Sequence, residues 1–312
     1  MTSQQRIEHF NHWPKAQKFK GEIDFSNILK SHSLEELFYP YQLPGTDSTE
    51  AHIMLSYLLD AVDSLPMRPD HAFDWTWRAF EYSLGHVPSC KGNITKALRT
   101  VSEKLSDYLA LSSDVEDAFY GLVKRIPLRT CKYLLKKIVD EGIYTFSSDA
   151  DAKGLSSFAK RLLFVHGKPP VYNSDLQEIL QYFAWHYRSV GGVELRKGAS
   201  LLRRVIRGES INANGKSYQL DRKAILFLLL SGLGYAFRNG RAHAESIAPF
   251  RSSLAKLQTY AHCWFMFLLM YELTFALLHL DTHPEKITGN PAANFKANND
   301  AFEKLFGPSL ND

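Results

Sequence analysis

The sequence predicts an all-α protein, because apolar residues recur at helical spacing in separate segments while strand signals are few. One such face follows Asn93 and consists of Ile94, Leu98, Val101, Leu105 and Tyr108. A longer seam alternates steps of three and four through Leu254, Leu257, Ala261, Trp264, Leu268, Tyr271, Phe275 and Leu278. The strand signals are limited to residues 144–147 and to 211–220, where Asn214-Gly215 predicts a small hairpin.

The elements before residue 170 are predicted in chain order. The first ~45 residues lack clear periodicity and are expected to form an irregular arm that ends at Pro40–Gly45. Helices are then predicted at 50–65, 70–84, 94–108, 115–124, 128–140 and 156–165. Asn93 is expected to cap its helix, because an Asn side chain accepts hydrogen bonds from the first free amides.

The turn-forming residues Gly167–Pro170 mark the predicted domain boundary. Helices follow at 174–190 and 194–207, and Asp221 is expected to cap a helix that runs to about Arg238. The division predicted is a helical N-terminal region at 1–170, a bundle at 171–285 and a polar tail at 286–312 with a short helix near 299–306. In an alternative division, the helices at 50–65 and 70–84 belong to the bundle.

The last long helix is apolar on every face, so it must be buried on several sides. Neighbouring helices, a dimer partner or both would supply that cover. The segment Tyr260–Leu280 is long enough to cross a bilayer. It contains Glu272 and two histidines, which are costly inside a membrane. The favoured interpretation is therefore a core helix, with a membrane span as the minor alternative.

Composition and charge favour a soluble cytoplasmic protein that binds a polyanion. Hydrophobic residues make up 45% of the chain, the three cysteines are far apart, and no apolar leader is visible at the N-terminus. No cofactor or metal site is predicted. Residues 153–241 hold 15 Lys/Arg against 5 Asp/Glu, inside a chain of net charge +4. This segment fits either an RNA-binding face or an ordinary solvated surface.

The motif that carries the chemistry lies between two apolar helices and reads Arg238-Asn239-Gly240-Arg241-Ala242-His243. It resembles the Arg-x(4–6)-His motif of the HEPN superfamily, in which a polar residue often follows the Arg. The resemblance covers about residues 221–280. It implies a helical bundle, metal-independent RNA cleavage and two motifs that face each other across a homodimer or higher homo-oligomer.

Spacing alone does not single out this motif. Arg6 and His12, and likewise Arg161 and His166, also satisfy it. Neither pair has a polar residue after the Arg, and neither lies between two long apolar helices. The context therefore favours Arg238 and His243.

Helix geometry predicts that the first helix ends at Asn239-Gly240. On a continuous helix, side chains five residues apart point about 140° away from each other. A left-handed Gly240 would end the helix and bring His243 back toward Arg238.

The predicted roles follow the chemistry of RNA cleavage. Arg238 binds the scissile phosphate, because its planar guanidinium matches phosphate oxygens. His243 transfers the proton near neutral pH, and Asn239 orients the phosphate or His243. Arg241 is predicted to contact the RNA backbone. The structural alternative is that Arg238 and His243 only cap helix ends.

Two other segments combine aromatic and charged residues. Aromatic residues at 182–187 are interpreted as core, and the basic residues after them as RNA-backbone contacts: Arg196, Lys197, Arg203, Arg204 and Arg207. The acidic and aromatic run at 70–81 could line a pocket near the motif. It is interpreted instead as an N-cap, a surface ion pair and a buried stripe.

The resulting hypothesis is a HEPN-type endoribonuclease in a toxin or antiviral-defence role, with an antitoxin or activating partner. The alternatives are a non-catalytic module that binds RNA or a nucleotide, and an interaction protein whose apolar helix forms a dimer interface.

Overall fold

The structure is a computed structural model that describes residues 2–15, 18–141, 143, 155–163, 174–213, 215–245, 247–252 and 254–311. Over these residues the all-α prediction is confirmed. The only strands among them are β1 (Ile211–Ala213) and β2 (Lys216–Tyr218), which pair antiparallel in the predicted hairpin. The predicted strands at 144–147 and the boundary at 167–170 lie outside the described residues.

The helices follow the predicted order from residue 49 onward. Their bounds are α1 (Thr2–Asn11), α2 (Lys20–Leu29), α3 (Thr49–Asp63), α4 (Pro69–His86), α5 (Ile94–Leu111), α6 (Ser113–Lys124), α7 (Leu128–Asp140), α8 (Ser157–Leu163), α9 (Ser174–His186), α10 (Gly192–Ile206), α11 (Arg222–Phe227), α12 (Tyr235–Ala242), α13 (Leu257–Leu278) and α14 (Ala292–Phe306). A π-helical segment, Leu228–Gly234, joins α11 to α12.

Both predicted helix caps are confirmed. The Asn93 side chain accepts from the amides of Thr95 and Lys96, at 2.9 and 3.3 Å. The Asp221 carboxylate accepts from the Ala224 amide at 2.7 Å. A cap satisfies amides that have no partner within the helix, so these helix starts are fixed by local sequence.

The helix α13 is the centre of the core. Every residue from Thr259 to Leu278 is buried, and the cover comes from helices of the same chain, above all α4 and α14. The helix is long and apolar enough to cross a membrane by length and composition, but that apolar stretch is wholly buried inside the protein. It is the core helix that was predicted. An exposed dimer interface along α13 is ruled out by this cover.

The N-terminal arm was predicted wrongly. It contains α1 and α2, and α2 buries Phe25 against Tyr260 of α13, with ring centroids 4.0 Å apart. These short helices carry few apolar residues, so their own periodicity is faint. Packing on α13 stabilises α2, as is usual for helices of this length.

The C-terminal helix is also longer than predicted. It begins at Ala292 rather than near 299, and it buries Phe295, Phe302 and Phe306. Asn298 is buried as well, because its side chain exchanges hydrogen bonds with the main chain of Tyr39. A polar residue at a buried position interrupts the apolar periodicity, so the buried face of this helix is hard to recognise from sequence.

One hydrophobic cluster runs from Phe25 to Leu310 and includes residues of both predicted domains. The helices α3 and α4 pack on each other, and α4 packs along α13. The helices at 50–65 and 70–84 therefore share one core with the segment predicted as the bundle, and the domain boundaries stay a prediction.

The burial of α14 predicts a large effect of one substitution. Phe302→Ala should lower the free energy of unfolding by about 3–5 kcal/mol, because it leaves a cavity in the core. Lys304→Ala, on the exposed face of the same helix, should change it by less than about 0.5 kcal/mol. Urea unfolding followed by circular dichroism measures both. Equal small effects would show that α14 is a dispensable tail.

Candidate active site

The helix α12 does not end where the sequence predicted. It passes through Asn239 and Gly240 and ends at Ala242 with His243 as its C-cap, after which Ala244 adopts the left-handed conformation (φ 53°). The amide of Glu245 donates to the Gly240 carbonyl at 3.0 Å, and the amide of Ala244 to the Arg241 carbonyl at 3.2 Å. These two bonds form a Schellman motif. The Asn-Gly pair therefore stays helical, because its carbonyls accept hydrogen bonds from the amides of His243 and Glu245, four and five residues later.

Arg238 and His243 consequently do not converge within one chain. Five residues on a nearly continuous helix separate their side-chain directions by about 140°. Among the described residues, no hydrogen bond or ion pair joins the two side chains. The Arg238 side chain is 32% exposed and His243 is exposed, so both reach solvent at the end of α12.

Within the part of the chain that the structure describes, the partners of Arg238 are loose. Its Nη1 donates to Asn239 Oδ1 at 3.2 Å, and its Nη2 lies 3.6 Å from Glu81 Oε2. Glu81 is held by a hydrogen bond of 3.0 Å from Trp77 Nε1. Asn239 thus contacts Arg238 in the structure. A guanidinium with one long ion pair and partial exposure keeps donors available for a phosphate.

Arg241 has a different environment. Its Nε and Nη2 donate to the two oxygens of Asp74 at 2.7 and 2.5 Å, and Nη2 lies 3.2 Å from Asp70 Oδ2. The side chain is only 16% exposed. The prediction that Arg241 contacts the RNA backbone is therefore corrected: this guanidinium joins α12 to α4.

Asp70 is the fully buried centre of this network. It also accepts two hydrogen bonds from Arg68, at 3.0 and 2.9 Å. Burial acts to raise the pKa of Asp70, but the Arg68 hydrogen bond and the charges of Arg241 and Arg68 outweigh it, so the pKa is lowered. The network therefore stabilises the fold above the ordinary carboxyl pKa, and acidification through the lowered pKa removes that stabilisation.

The carboxylates of α4 are the site residues whose role the sequence reasoning missed. Asp70, Asp74, Trp77 and Glu81 step by four, three and four, which places them on one face of α4. That face meets α12, with the rings of Phe73 and Phe237 4.7 Å apart. The interpretation as an N-cap with a surface ion pair is corrected, since Asp70 is buried and the residue at the N-cap is Arg68.

The loop after the motif is also tethered to a helix outside the predicted bundle. Glu245 Oε2 accepts from Lys137 Nζ of α7 at 2.9 Å. Both partners reach solvent, so this pair contributes little stability. The Lys137–Glu245 pair does connect the loop after His243 to α7.

The predicted basic face of α10 is mostly engaged. Arg203 is only 8% exposed and its Nη1 donates to Asn311 Oδ1 at 2.6 Å, so its prediction as an RNA contact is corrected. Arg196 donates to the Asn311 carbonyl at 3.0 Å. Lys197 and Arg204 pair with neighbouring glutamates at 2.7 and 2.9 Å. Exposed pairs exchange partners easily, so these two and the half-buried Arg207 stay candidates.

The aromatic residues at 182–187, in and directly after α9, divide between core and surface. Phe183 and Tyr187 are buried, as predicted. Trp185 is 58% exposed, and the Arg188 guanidinium lies 3.4 Å from the centre of its ring. Trp185 is therefore not the core residue that was predicted.

Comparison of the chain with protein-family models, with curated proteins and with solved structures finds no significant match. The class that the fold defines is an all-α protein with an ion-paired helix junction beside an exposed Arg-x4-His segment.

The two arginines of the motif are predicted to differ in their effect on stability. Arg241→Met should lower the free energy of unfolding by about 3–5 kcal/mol, because it removes a partner of the buried Asp70. Arg238→Met should cost less than about 1 kcal/mol, as expected of an exposed, long ion pair. Chemical unfolding of both variants at neutral pH provides the measurement. A larger loss for Arg238→Met would contradict the assignment of Arg241 as the structural residue.

The helix end gives a second stability prediction. Ala244→Gly should raise the free energy of unfolding by about 0.5–1 kcal/mol, because glycine adopts positive φ without the Cβ clash that alanine suffers. Ala242→Gly, two residues earlier and inside the helix, should lower it by about 0.5–1 kcal/mol. Opposite shifts of the melting temperature are expected. Shifts of the same sign would place the helix end elsewhere.

Proposed function

We propose that the protein is a metal-independent RNA endonuclease of HEPN type, with Arg238 and His243 as its catalytic residues. The observation that supports this proposal most directly is the contrast within the motif. Arg241 is enclosed by two carboxylates, whereas Arg238 and His243 reach solvent at the same helix end. An exposed histidine and an incompletely paired arginine are the groups needed to bind and cleave a phosphodiester, although the two side chains diverge within one chain.

The proposed reaction begins with attack of the ribose 2′-oxygen on the adjacent phosphorus. The new bond joins the 2′-oxygen to phosphorus, and the bond between phosphorus and the 5′-oxygen breaks. The 2′-hydroxyl proton passes to a base and the leaving 5′-oxygen receives a proton, with His243 as the group that transfers protons. Arg238 neutralises the charge that gathers on the phosphate. The products are a 2′,3′-cyclic phosphate and a 5′-hydroxyl.

Two copies of the chain are proposed to complete the site. Because Arg238 and His243 diverge on one helix, Arg238 of one protomer would act with His243 of its partner. This arrangement is the one that the HEPN resemblance implies for a homodimer. The cytoplasmic location, the toxin or antiviral-defence role and the antitoxin or activating partner rest on that resemblance alone.

The second candidate is a non-catalytic module that holds RNA or a nucleotide through Arg238. The divergence of Arg238 and His243 within one chain favours it if the protein proves to be a monomer. Binding without cleavage, with a steep salt dependence, would distinguish this module.

Cleavage of labelled RNA in EDTA tests the leading proposal. Wild-type protein should leave cyclic phosphate ends, and Arg238→Ala and His243→Ala should each lose at least about 100-fold in rate. His12→Ala is the control, because Arg6 and His12 also satisfy the Arg-x(4–6)-His pattern and His12 is exposed; its rate should be unchanged. If cleavage stops in EDTA or persists in His243→Ala, the proposed chemistry is wrong.

Mixed dimers test where the site is assembled. When equal amounts of Arg238→Ala and His243→Ala protein are mixed and allowed to exchange subunits, about half of the dimers carry both kinds of chain. Each of these has one intact composite site, so about a quarter of the wild-type rate should return. No recovery despite demonstrated exchange would place Arg238 and His243 of one site on the same chain.

A further inference from the structure

A cavity of about 430 Å³ lies beside the hairpin. Among the described residues, its walls come from α6, the C-terminal end of α10, the segment between β2 and α11, and α11 itself. None of these wall residues belongs to α12. The apolar wall residues Val123, Leu220 and Ile225 are almost fully buried. The groups that a ligand can contact are therefore mainly the polar side chains of the cavity.

Two of those polar side chains are the basic residues Lys124 and Arg207. Lys124 is exposed and Arg207 is half-buried. Neither forms a hydrogen bond or an ion pair with any residue in the described part of the chain. The Nε atom of Arg207 is enclosed, but its two Nη atoms keep accessible surface. Both cations can therefore donate to a ligand in the cavity.

The other charged walls do not neutralise these two cations. Arg222 forms an ion pair with Glu116, so this pair adds no net charge. Asp221 is the one carboxylate among the described wall residues, and it accepts from the Ala224 amide at 2.7 Å as the cap of α11. The walls thus hold three cations, two of them without a counterion, against one carboxylate that already has a structural role.

A further cation lies behind Arg207. Arg203, one turn earlier on α10, is 8% exposed and donates to Asn311 Oδ1, a neutral acceptor, at 2.6 Å. Residues four apart on a helix are neighbours. Burial lowers the pKa of Arg203, and the charge of Arg207 lowers it further. Within the residues described, no carboxylate forms an ion pair with either guanidinium. Two adjacent, partly enclosed cations without a counterion are destabilising, and an anion in the cavity would offset that cost.

We propose that this cavity binds a phosphate dianion, either free phosphate or the phosphate group of a small phosphomonoester. The Nη atoms of Arg207 donate to its oxygens, because a guanidinium matches phosphate geometry. Lys124 adds a second positive charge at the mouth. Arg203 contributes positive potential from behind without contacting the ligand. This binding is independent of the proposed RNA cleavage, since neither Arg238 nor His243 lines the cavity.

Calorimetric titration with three small phosphates tests the assignment at about pH 8, where a phosphomonoester carries two charges. Inorganic phosphate and methyl phosphate should each bind one site per chain at millimolar concentration or below. Dimethyl phosphate, which has the single charge of an RNA linkage, should bind at least about tenfold more weakly. Tighter binding of methyl phosphate would identify a phosphomonoester as the ligand, and tighter binding of inorganic phosphate would identify the free ion. No binding of either dianion, or equal binding of dimethyl phosphate, would overturn the proposal.

Variants locate the site within the chain. Arg207→Gln should weaken binding of the dianions at least about tenfold, and Lys124→Gln about fivefold. Arg204→Gln is the matched control, because this exposed arginine of α10 is paired with Glu209 and does not line the cavity; its affinity should be unchanged. If Arg207→Gln fails to fold, as judged by thermal unfolding, Lys124→Gln at its exposed position decides.

Arg238→Ala separates this site from the proposed nuclease site, because Arg238 is the residue proposed to bind phosphate there. This variant should bind inorganic phosphate with unchanged affinity even if it has lost RNA cleavage. Loss of phosphate binding in Arg238→Ala, or unchanged affinity in every folded variant at positions 124 and 207, would place the anion elsewhere and overturn the proposal.

Discussion

The rest of the fold depends on one constraint: the apolar faces of α13 must be buried by neighbouring helices. A helix of 22 residues with apolar side chains on every face gains roughly 25 cal/mol for each Å² of apolar surface removed from water. One neighbour cannot remove all of it, because a neighbour covers one side only. Phe25 of α2 and Phe250 both stack on Tyr260, at 4.0 and 4.1 Å, while α14 packs on another side. The helices α2 and α14 are therefore held in place by packing on the apolar faces of α13.

The junction of α4 with α12 depends in turn on that packing. As α4 packs along α13, its row of carboxylates is directed at α12. Asp70 becomes fully buried there, and a buried carboxylate needs cationic partners. Arg68 and Arg241 provide them. Arg241, in the middle of the motif, thus stabilises the fold. Arg238 and His243, at the two ends of the motif, reach solvent. Arg238 and Arg241 therefore lie in different environments, although only two residues separate them.

The sequence predicted those elements whose stabilising interactions lie within the element itself or in the next turn. The helices α3 to α7 and α13 were predicted because apolar periodicity is written in their own residues, and the caps at Asn93 and Asp221 because a cap involves only the next turn. The helices α2 and α14 were missed or shortened because their stability comes from α13. The end of α12 was misplaced because the choice between Gly240 and Ala244 depends on hydrogen bonds and ion pairs formed with residues beyond the motif. For the same reason Arg241 was recognised as part of a motif, but its carboxylate partners were not.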